Sequence, residues 1–289
     1  TQTGKVYFET ICANCHGMDG QKFRHMLSLG NIASKNPWES FHKILNGHPG
    51  ETMPALRAFD QSILVGILAY TQTLPKEDAL ASIVRGGRLY DNWYAEGRKP
   101  KPLTRHPAYP ATGKVAKYKA ATWRCKECHG WDYQGEKGVY AKGVHYTGIR
   151  GIRRAADKSV EEIIKIMSDA THGYAAKLTY RDLRDLANFV SKGQIDMNRY
   201  IDRKTGASKG NRNKHVAYYT TICATCHGNR GTKVITMEPL GHVAVDNPWA
   251  AFHMLLNGHP AEEMPALRVL ETNVLVDVLS YLQSLPMKR

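Results

Sequence analysis

The sequence predicts an all-α protein of three tandem domains, in which the first and third domains are copies of one another. Three observations predict this. Residues 6–75 and 217–286 align without a gap at a constant offset of 211, and about half of the aligned positions are identical. Apolar residues recur at helical spacing near the end of each copy, as Ile63, Leu64, Ile67 and Leu68 do. A five-residue motif, CxxCH, occurs once in each third of the chain.

Each copy predicts the same order of elements. A short helix carries the CxxCH motif, and a loop leads to a second helix that begins at Pro37 or at Pro248, because proline favours the first helical turn. A methionine-containing loop follows. A final amphipathic helix is expected over 61–73 in the first copy and over 272–284 in the third, each ended by a proline.

The middle segment predicts the same arrangement with departures. The run 85–90 resembles the start of the first helix, but Tyr90 lies 35 residues before Cys125, whereas Tyr7 lies 5 before Cys12. About 30 residues are therefore inserted, and the stretch 99–122 is rich in Pro, Lys and Tyr, which predicts a surface loop. Helices are expected over 160–167 and from Thr179 onward, and 199–215 is expected to be a linker.

The CxxCH motifs carry the chemistry. They are Cys12 to His16, Cys125 to His129 and Cys223 to His227, and they contain all six cysteines of the chain: Cys12, Cys15, Cys125, Cys128, Cys223 and Cys226. CxxCH is the attachment signature of a c-type haem. The two thiols add to the two vinyl groups of the haem, and the next histidine binds the iron as its proximal ligand. The sequence therefore predicts three covalently bound haem c groups.

The other interpretations of CxxCH are a zinc site, a redox dithiol and a chance match. Zinc sites usually take four ligands from paired clusters, and a redox dithiol needs no histidine directly after it. Three copies that leave no cysteine over disfavour all three interpretations.

With this motif near the start and an amphipathic helix at the end, each domain resembles class I cytochrome c domains. The resemblance implies domains at 1–79, 80–198 and 199–289, the last including the linker. It also implies that the first and last helices of a domain cross beside the haem, which places Tyr7 near Tyr70 and Tyr218 near Tyr281.

A sixth iron ligand decides what such a haem does. Methionine sulfur is common in this family because it stabilises reduced iron. Met53 lies 37 residues after His16 and Met264 lies 37 after His227, and a proline follows each methionine, as in the axial methionine loop of the family. Packing in the core is the alternative role for both methionines. Four histidines that also match between the copies are rival ligands: His42, His48, His253 and His259.

The middle domain has no Met-Pro. Met53 and Met264 each lie 17 residues before a tyrosine of the last helix, and the same count back from Phe189 gives His172. A second imidazole there would make a bis-histidine haem of lower potential. Lys177 is the runner-up, because it stands five residues after His172 as Met53 stands five after His48. Met167, His145 and an open sixth position are the remaining alternatives.

Composition bears on partners and compartment. The chain has 40 Lys plus Arg against 26 Asp plus Glu, a formal charge of +14. Six haem propionates would lower this to about +8, which still favours acidic redox partners, both donor and acceptor. The basic residues are scattered without a nucleic-acid-binding motif. No apolar run could span a membrane, which leaves peripheral association with a membrane redox complex.

The resemblance to c-type cytochromes implies a periplasmic protein that begins at Thr1 after removal of a signal peptide. The first expected function is a triheme electron carrier between redox partners. The second is a haem enzyme or enzyme subunit that acts on a small inorganic substrate, for example a sulfur or nitrogen oxyanion, at the haem of the middle domain, which departs from the pattern. The third expected function is a binding module in which haem only fills space in the core, and it would leave three cofactors without a redox role.

Overall fold

The computed structural model describes residues 2–23, 27–50, 52–76 and 79–289. The described residues are helices, turns and loops, with two isolated β-bridges and no β-strand among them, so the predicted all-α class is confirmed. No described helix is long and apolar enough to cross a membrane. The chain divides into two compact units, Thr1–Ala79 with Ala175–Arg181, and Leu80–Tyr174 with Asp182–Arg289.

The helices before residue 77 follow the predicted order. They are α1 (Gln2–Tyr7), a π-helical stretch (Phe8–Cys12), α2 (Ala13–His16), α3 (Leu29–Lys35), α4 (Pro37–Asn46) and α5 (Gln61–Thr71). The Asn36 side chain accepts the Glu39 backbone N–H at the start of α4, and Pro37 occupies the first turn. The side chain of Asp60 caps α5 in the same way. Helix α5 ends two residues before the predicted boundary, because Thr73 and Leu74 form turns ahead of Pro75.

The core of the first unit lies where α1 crosses α5. A Cβ atom built on Gly4 would lie 1.9 Å from the backbone oxygen of Gly66, so only glycine permits this approach. Buried Ile44, Leu64 and Ile67 fill the space beneath the crossing.

From residue 79 onward the elements are α6 (Ala79–Glu96), α7 (Cys125–His129), α8 (Val160–Met167), α9 (Tyr180–Asn188), α10 (Val216–Tyr218), α11 (Ala224–His227), α12 (Leu240–Asp246), α13 (Pro248–Asn257) and α14 (Thr272–Leu282). Helix α6 is kinked at Asn92, whose backbone is not helical. The predicted helix over 160–167 is observed with those bounds, and α14 ends two residues before the predicted Ser284.

The same aromatic pair recurs three times where a first helix meets a last helix. The ring centroids are 5.4 Å apart for Phe8 and Tyr70, 5.4 Å for Tyr90 and Phe189, and 5.1 Å for Tyr219 and Tyr281. The resemblance implied Tyr7 near Tyr70 and Tyr218 near Tyr281, and the ring pairs with Tyr70 and Tyr281 are formed by the next residues, Phe8 and Tyr219. A π-helical stretch begins at each of these two residues.

Segments assigned by sequence to the middle and third domains share one core within the second unit. Tyr133, Tyr90 and Phe189 pack around His253 of α13. The predicted domain boundary between residues 79 and 80 coincides with the change from the first unit to the second. The predicted boundary between residues 198 and 199 lies inside the second unit. The division into three haem domains stays a prediction. The expected linker packs on α14, where Ser208 and Asn211 bond to it.

Candidate haem sites

Each CxxCH motif lies at the end of a short helix and is held by the same backbone bond. The carbonyl oxygen of the motif's histidine accepts an N–H from the residue six positions later. The donors are Lys22 for His16 at 3.0 Å, Gly135 for His129 at 2.8 Å and Lys233 for His227 at 3.0 Å. The structure therefore gives all three histidines the same local backbone geometry.

None of the six cysteines forms a disulfide. Burial raises the pKa of Cys12 to about 11, and it raises the pKa of Cys125 and of Cys128 to about 12. A redox-active dithiol or a thiolate metal site needs a lowered cysteine pKa. The raised pKa values of Cys12, Cys125 and Cys128 therefore count against a redox-active dithiol at these positions.

His129 has one ring nitrogen committed and one available. Its Nδ1 donates to the backbone carbonyl of Arg150 at 2.7 Å. Burial lowers the pKa of His129 to about 4, so the ring is neutral near pH 7 and Nε2 carries a lone pair. A hydrogen bond from the second nitrogen is the usual means of orienting a metal-binding histidine.

His172 is prepared in the same way. Its Nδ1 donates to the Asp169 carboxylate at 3.0 Å, and the same Oδ1 atom accepts the backbone N–H groups of Thr171 and His172. The backbone N–H of His172 is the largest cause that holds the pKa of Asp169 below its usual value, and the His172 ring and the Thr171 N–H add to it. A carboxylate on Nδ1 fixes the tautomer that presents Nε2 and raises the basicity of the ring as a ligand.

The rings of His129 and His172 lie close together and nearly parallel. The ring centroids of His129 and His172 are 6.5 Å apart, with 24° between the ring planes. A metal–nitrogen bond of about 2 Å on each side, with about 1.2 Å from each nitrogen to its ring centre, places trans imidazoles about 6.4 Å apart. The donor set and the gap both fit haem iron.

The spacer residues of the middle motif are buried, unlike Asn14 and Thr225 of the outer motifs, which are exposed. Glu127 is 3% exposed, forms an ion pair with Lys126 and accepts a hydrogen bond from Nδ1 of His145 at 2.9 Å. Burial raises the pKa of Glu127, but the bonds to His145 and Lys126 outweigh it and lower the pKa to about 2. A buried ion pair, Lys126 with Glu127, therefore lies within the middle attachment motif.

The outer methionines lie on matching loops. Met53 follows α4 and Met264 follows α13, and both are half-buried. The arginine four residues after each methionine binds the last asparagine of the preceding helix, Arg57 to Asn46 and Arg268 to Asn257. For these two sites the structural support is this repeated loop.

The rival histidines of the outer domains have other partners. His48 and His259 bond through Nδ1 to the carbonyl of the following proline, and exposed His42 bonds to Asn46. His253 is fully buried, and both of its ring nitrogens are used, Nδ1 by the Tyr133 hydroxyl and Nε2 by the Gly87 carbonyl, each at 2.9 Å. In this arrangement His253 has no nitrogen free for iron.

The other candidates for the middle haem have different surroundings. The ring of His145 stacks on that of Tyr140, with 4.6 Å between the ring centroids, and Met167 is buried at the end of α8. Lys177 is half-buried, five residues beyond His172.

Two residues of the middle site were missed by the sequence reasoning. Asp169 precedes His172 by three residues, and Asp-x-x-His could have suggested a carboxylate on the ring. His106 belongs to the insert, 66 residues from His172, yet Nε2 of its ring lies 3.1 Å from the carbonyl oxygen of His172. No short-range pattern in the sequence could have predicted that contact.

Models of known protein families, curated proteins and solved structures gave no match to this chain.

Proposed function

We propose that this chain is a triheme c-type cytochrome that passes single electrons between redox partners. The observation that carries the proposal is the His129–His172 pair, whose spacing and hydrogen bonds suit two ligands on opposite sides of one iron. It stands beside a motif of the haem-attachment type, and that motif occurs twice more with the same backbone bond.

The residues have separate roles in this proposal. The six cysteines anchor the haems, and His16, His129 and His227 are proximal ligands. Met53 and Met264 are the distal ligands of the outer haems, and His172 is the distal ligand of the middle haem. When bound, each haem supplies a one-electron Fe(III)/Fe(II) couple.

The environment of the middle haem is proposed to lower its potential below that of the outer two. Two imidazoles favour ferric iron more than an imidazole and a thioether do. Electrons would therefore rest on the outer haems and pass through the middle one.

Covalent haem content gives the first test. Mass spectrometry of the purified protein should show three haems per chain, and a Cys125→Ser, Cys128→Ser double variant should lose one. A full-length protein that carries no covalent haem would refute the proposal that this chain is a c-type cytochrome.

Electron paramagnetic resonance of the ferric protein tests the ligands. Three low-spin signals are expected, and His172→Ala should convert one of them to high spin and let carbon monoxide bind the reduced middle haem. Lys177→Ala is the matched control and should leave all three signals unchanged. The opposite result would assign the ligand to Lys177, and a high-spin signal in the unaltered protein would favour the enzyme alternative.

The enzyme alternative needs an iron position open to substrate. A His129–His172 ligand pair leaves no open position, so the observed spacing supports the electron carrier.

The expected partners and compartment follow from the same proposal. A net positive surface would steer acidic donor and acceptor proteins, at rates that fall as ionic strength rises, and the covalent haems imply the periplasm.

A further inference from the structure

His106 lies in the inserted loop, and the loop turns inward at this residue. The side chain is 5% exposed. Its ring packs 4.3 Å from the centroid of Trp123 and 5.9 Å from that of Tyr174. The insert was expected to be a surface loop, but at His106, Tyr109 and Val115 it forms part of the core of the second unit.

Both ring nitrogens of His106 have partners, and the partners determine the tautomer. Nδ1 lies 3.1 Å from the backbone nitrogen of Ala108 and accepts its N–H. Nε2 lies 3.1 Å from the carbonyl oxygen of His172, which can only accept. The neutral ring with its proton on Nε2 satisfies both bonds.

The backbone of His106 is fixed as well. Its N–H donates to Oγ1 of Thr122 at 2.9 Å, and the Thr122 hydroxyl donates to the carbonyl of Lys119 at 2.6 Å. Trp123, which follows Thr122, donates its indole N–H to the Thr104 carbonyl at 2.8 Å. The insert is therefore closed on itself at both ends of the segment that presents His106.

His172 is thus held from two directions. Asp169 holds the imidazole through Nδ1, but the Asp169 side chain is 45% exposed, so water competes for that bond. The bond from His106 to the His172 carbonyl is partly buried, and its donor ring is 5% exposed. Water therefore competes less for this bond than for the one to Asp169.

We propose that His106 is a positioning residue for the distal ligand of the middle haem. Through the His172 carbonyl, the insert keeps the loop over residues 169–173 in the place where the imidazole reaches iron. This inference rests on the proposed function, since it gives the insert the task of keeping the middle haem six-coordinate and closed to outside ligands.

The test measures how often His172 leaves the iron. Carbon monoxide can bind the reduced middle haem only while His172 is dissociated, so its binding rate reports the open fraction. Loss of one buried hydrogen bond should raise that fraction roughly two- to tenfold. His106→Phe keeps an aromatic ring but loses the bond, and should show this increase at one haem in three.

His106→Gln supplies an amide donor and should return the rate to within about twofold of the unaltered protein. Leu103→Ala changes an exposed residue of the insert and should have no effect. If His106→Phe fails to retain three haems, His106→Asn replaces it, because its shorter amide does not reach the carbonyl. Equal rates in the unaltered protein and His106→Phe, or in His106→Phe and His106→Gln, would overturn the proposal.

Failure of the proposed function would be recognised separately. In that case the unaltered protein would lack a low-spin bis-histidine signal before any variant is made. If the bis-histidine signal is present but the rate of carbon monoxide binding does not change when His106 is replaced, only the positioning role is rejected.

Discussion

His253 should make this protein lose stability on mild acidification. The ring is fully buried on α13, where Nδ1 accepts the Tyr133 hydroxyl and Nε2 donates to the Gly87 carbonyl. Burial lowers the pKa of His253 from 6.5 to about 4. Between these values the unfolded chain binds a proton that the folded chain does not, so stability falls as the pH falls from 6.5 towards 4. From pH 7 to pH 5 the loss from this one group is about 2 kcal/mol.

The assay is guanidinium unfolding of the haem-loaded protein at pH 7 and pH 5. His253→Gln can replace both hydrogen bonds but cannot titrate, so its loss of stability between the two pH values should be about 2 kcal/mol smaller than that of the unaltered protein. The repeat supplies a matched control, because His42 occupies the equivalent position and is exposed. His42→Gln should keep the pH dependence of the unaltered protein.

The reasoning is refuted if His253→Gln and the unaltered protein lose the same stability between pH 7 and pH 5. It is also refuted if His42→Gln removes the dependence as well, because the effect would then not depend on burial.

Three further predictions concern the second unit. Gly86→Ala would place a Cβ atom 2.0 Å from the Asp185 carbonyl oxygen, so about 2–4 kcal/mol of unfolding free energy should be lost, and an unchanged denaturant midpoint would contradict the close crossing. Tyr90→Phe removes a buried hydroxyl that donates to the Gly130 carbonyl at 2.6 Å; we expect a loss of about 1–2 kcal/mol, and a variant as stable as the parent would contradict it. Glu127, with a folded pKa of about 2 against an ordinary 4.5, contributes stability that is lost as the pH falls from 4.5 towards 2. Glu127→Gln should flatten acid unfolding in that range, and an unchanged acid midpoint would count against the ionised carboxylate.

Local patterns were enough to predict the helices and the attachment motifs. Proline and asparagine at the start of α4, and helical spacing in α5, act within one turn of the chain, so they can be recognised from a short window. The π-helical turn that begins at Phe8, the ring partner of Tyr70, has no clear pattern in the surrounding residues.

The rest depended on contacts between distant segments. The sequence considered His253 as a ligand because it matches His42, but the surroundings of the two residues differ. The ring of His253 is held by a hydrogen bond to the carbonyl of Gly87, 166 residues away. Gly87 lies outside both copies, so comparing the copies could not reveal this bond. In the same way His106 meets His172 only through the folding of the insert.

The duplicated helix α13 has consequences for whether the two copies can be exchanged. The positions of α13 that match Glu39, Ser40 and Lys43 of α4 hold Ala250, Ala251 and Met254. Both alanines are buried within the second unit. A chimaera with α4 in place of α13 would therefore bury a carboxylate beside Trp131 and Tyr140, which pack with Ala250, and a hydroxyl at position 251. The two helices are thus not interchangeable, because α13 requires the middle segment to cover residues that are polar in α4.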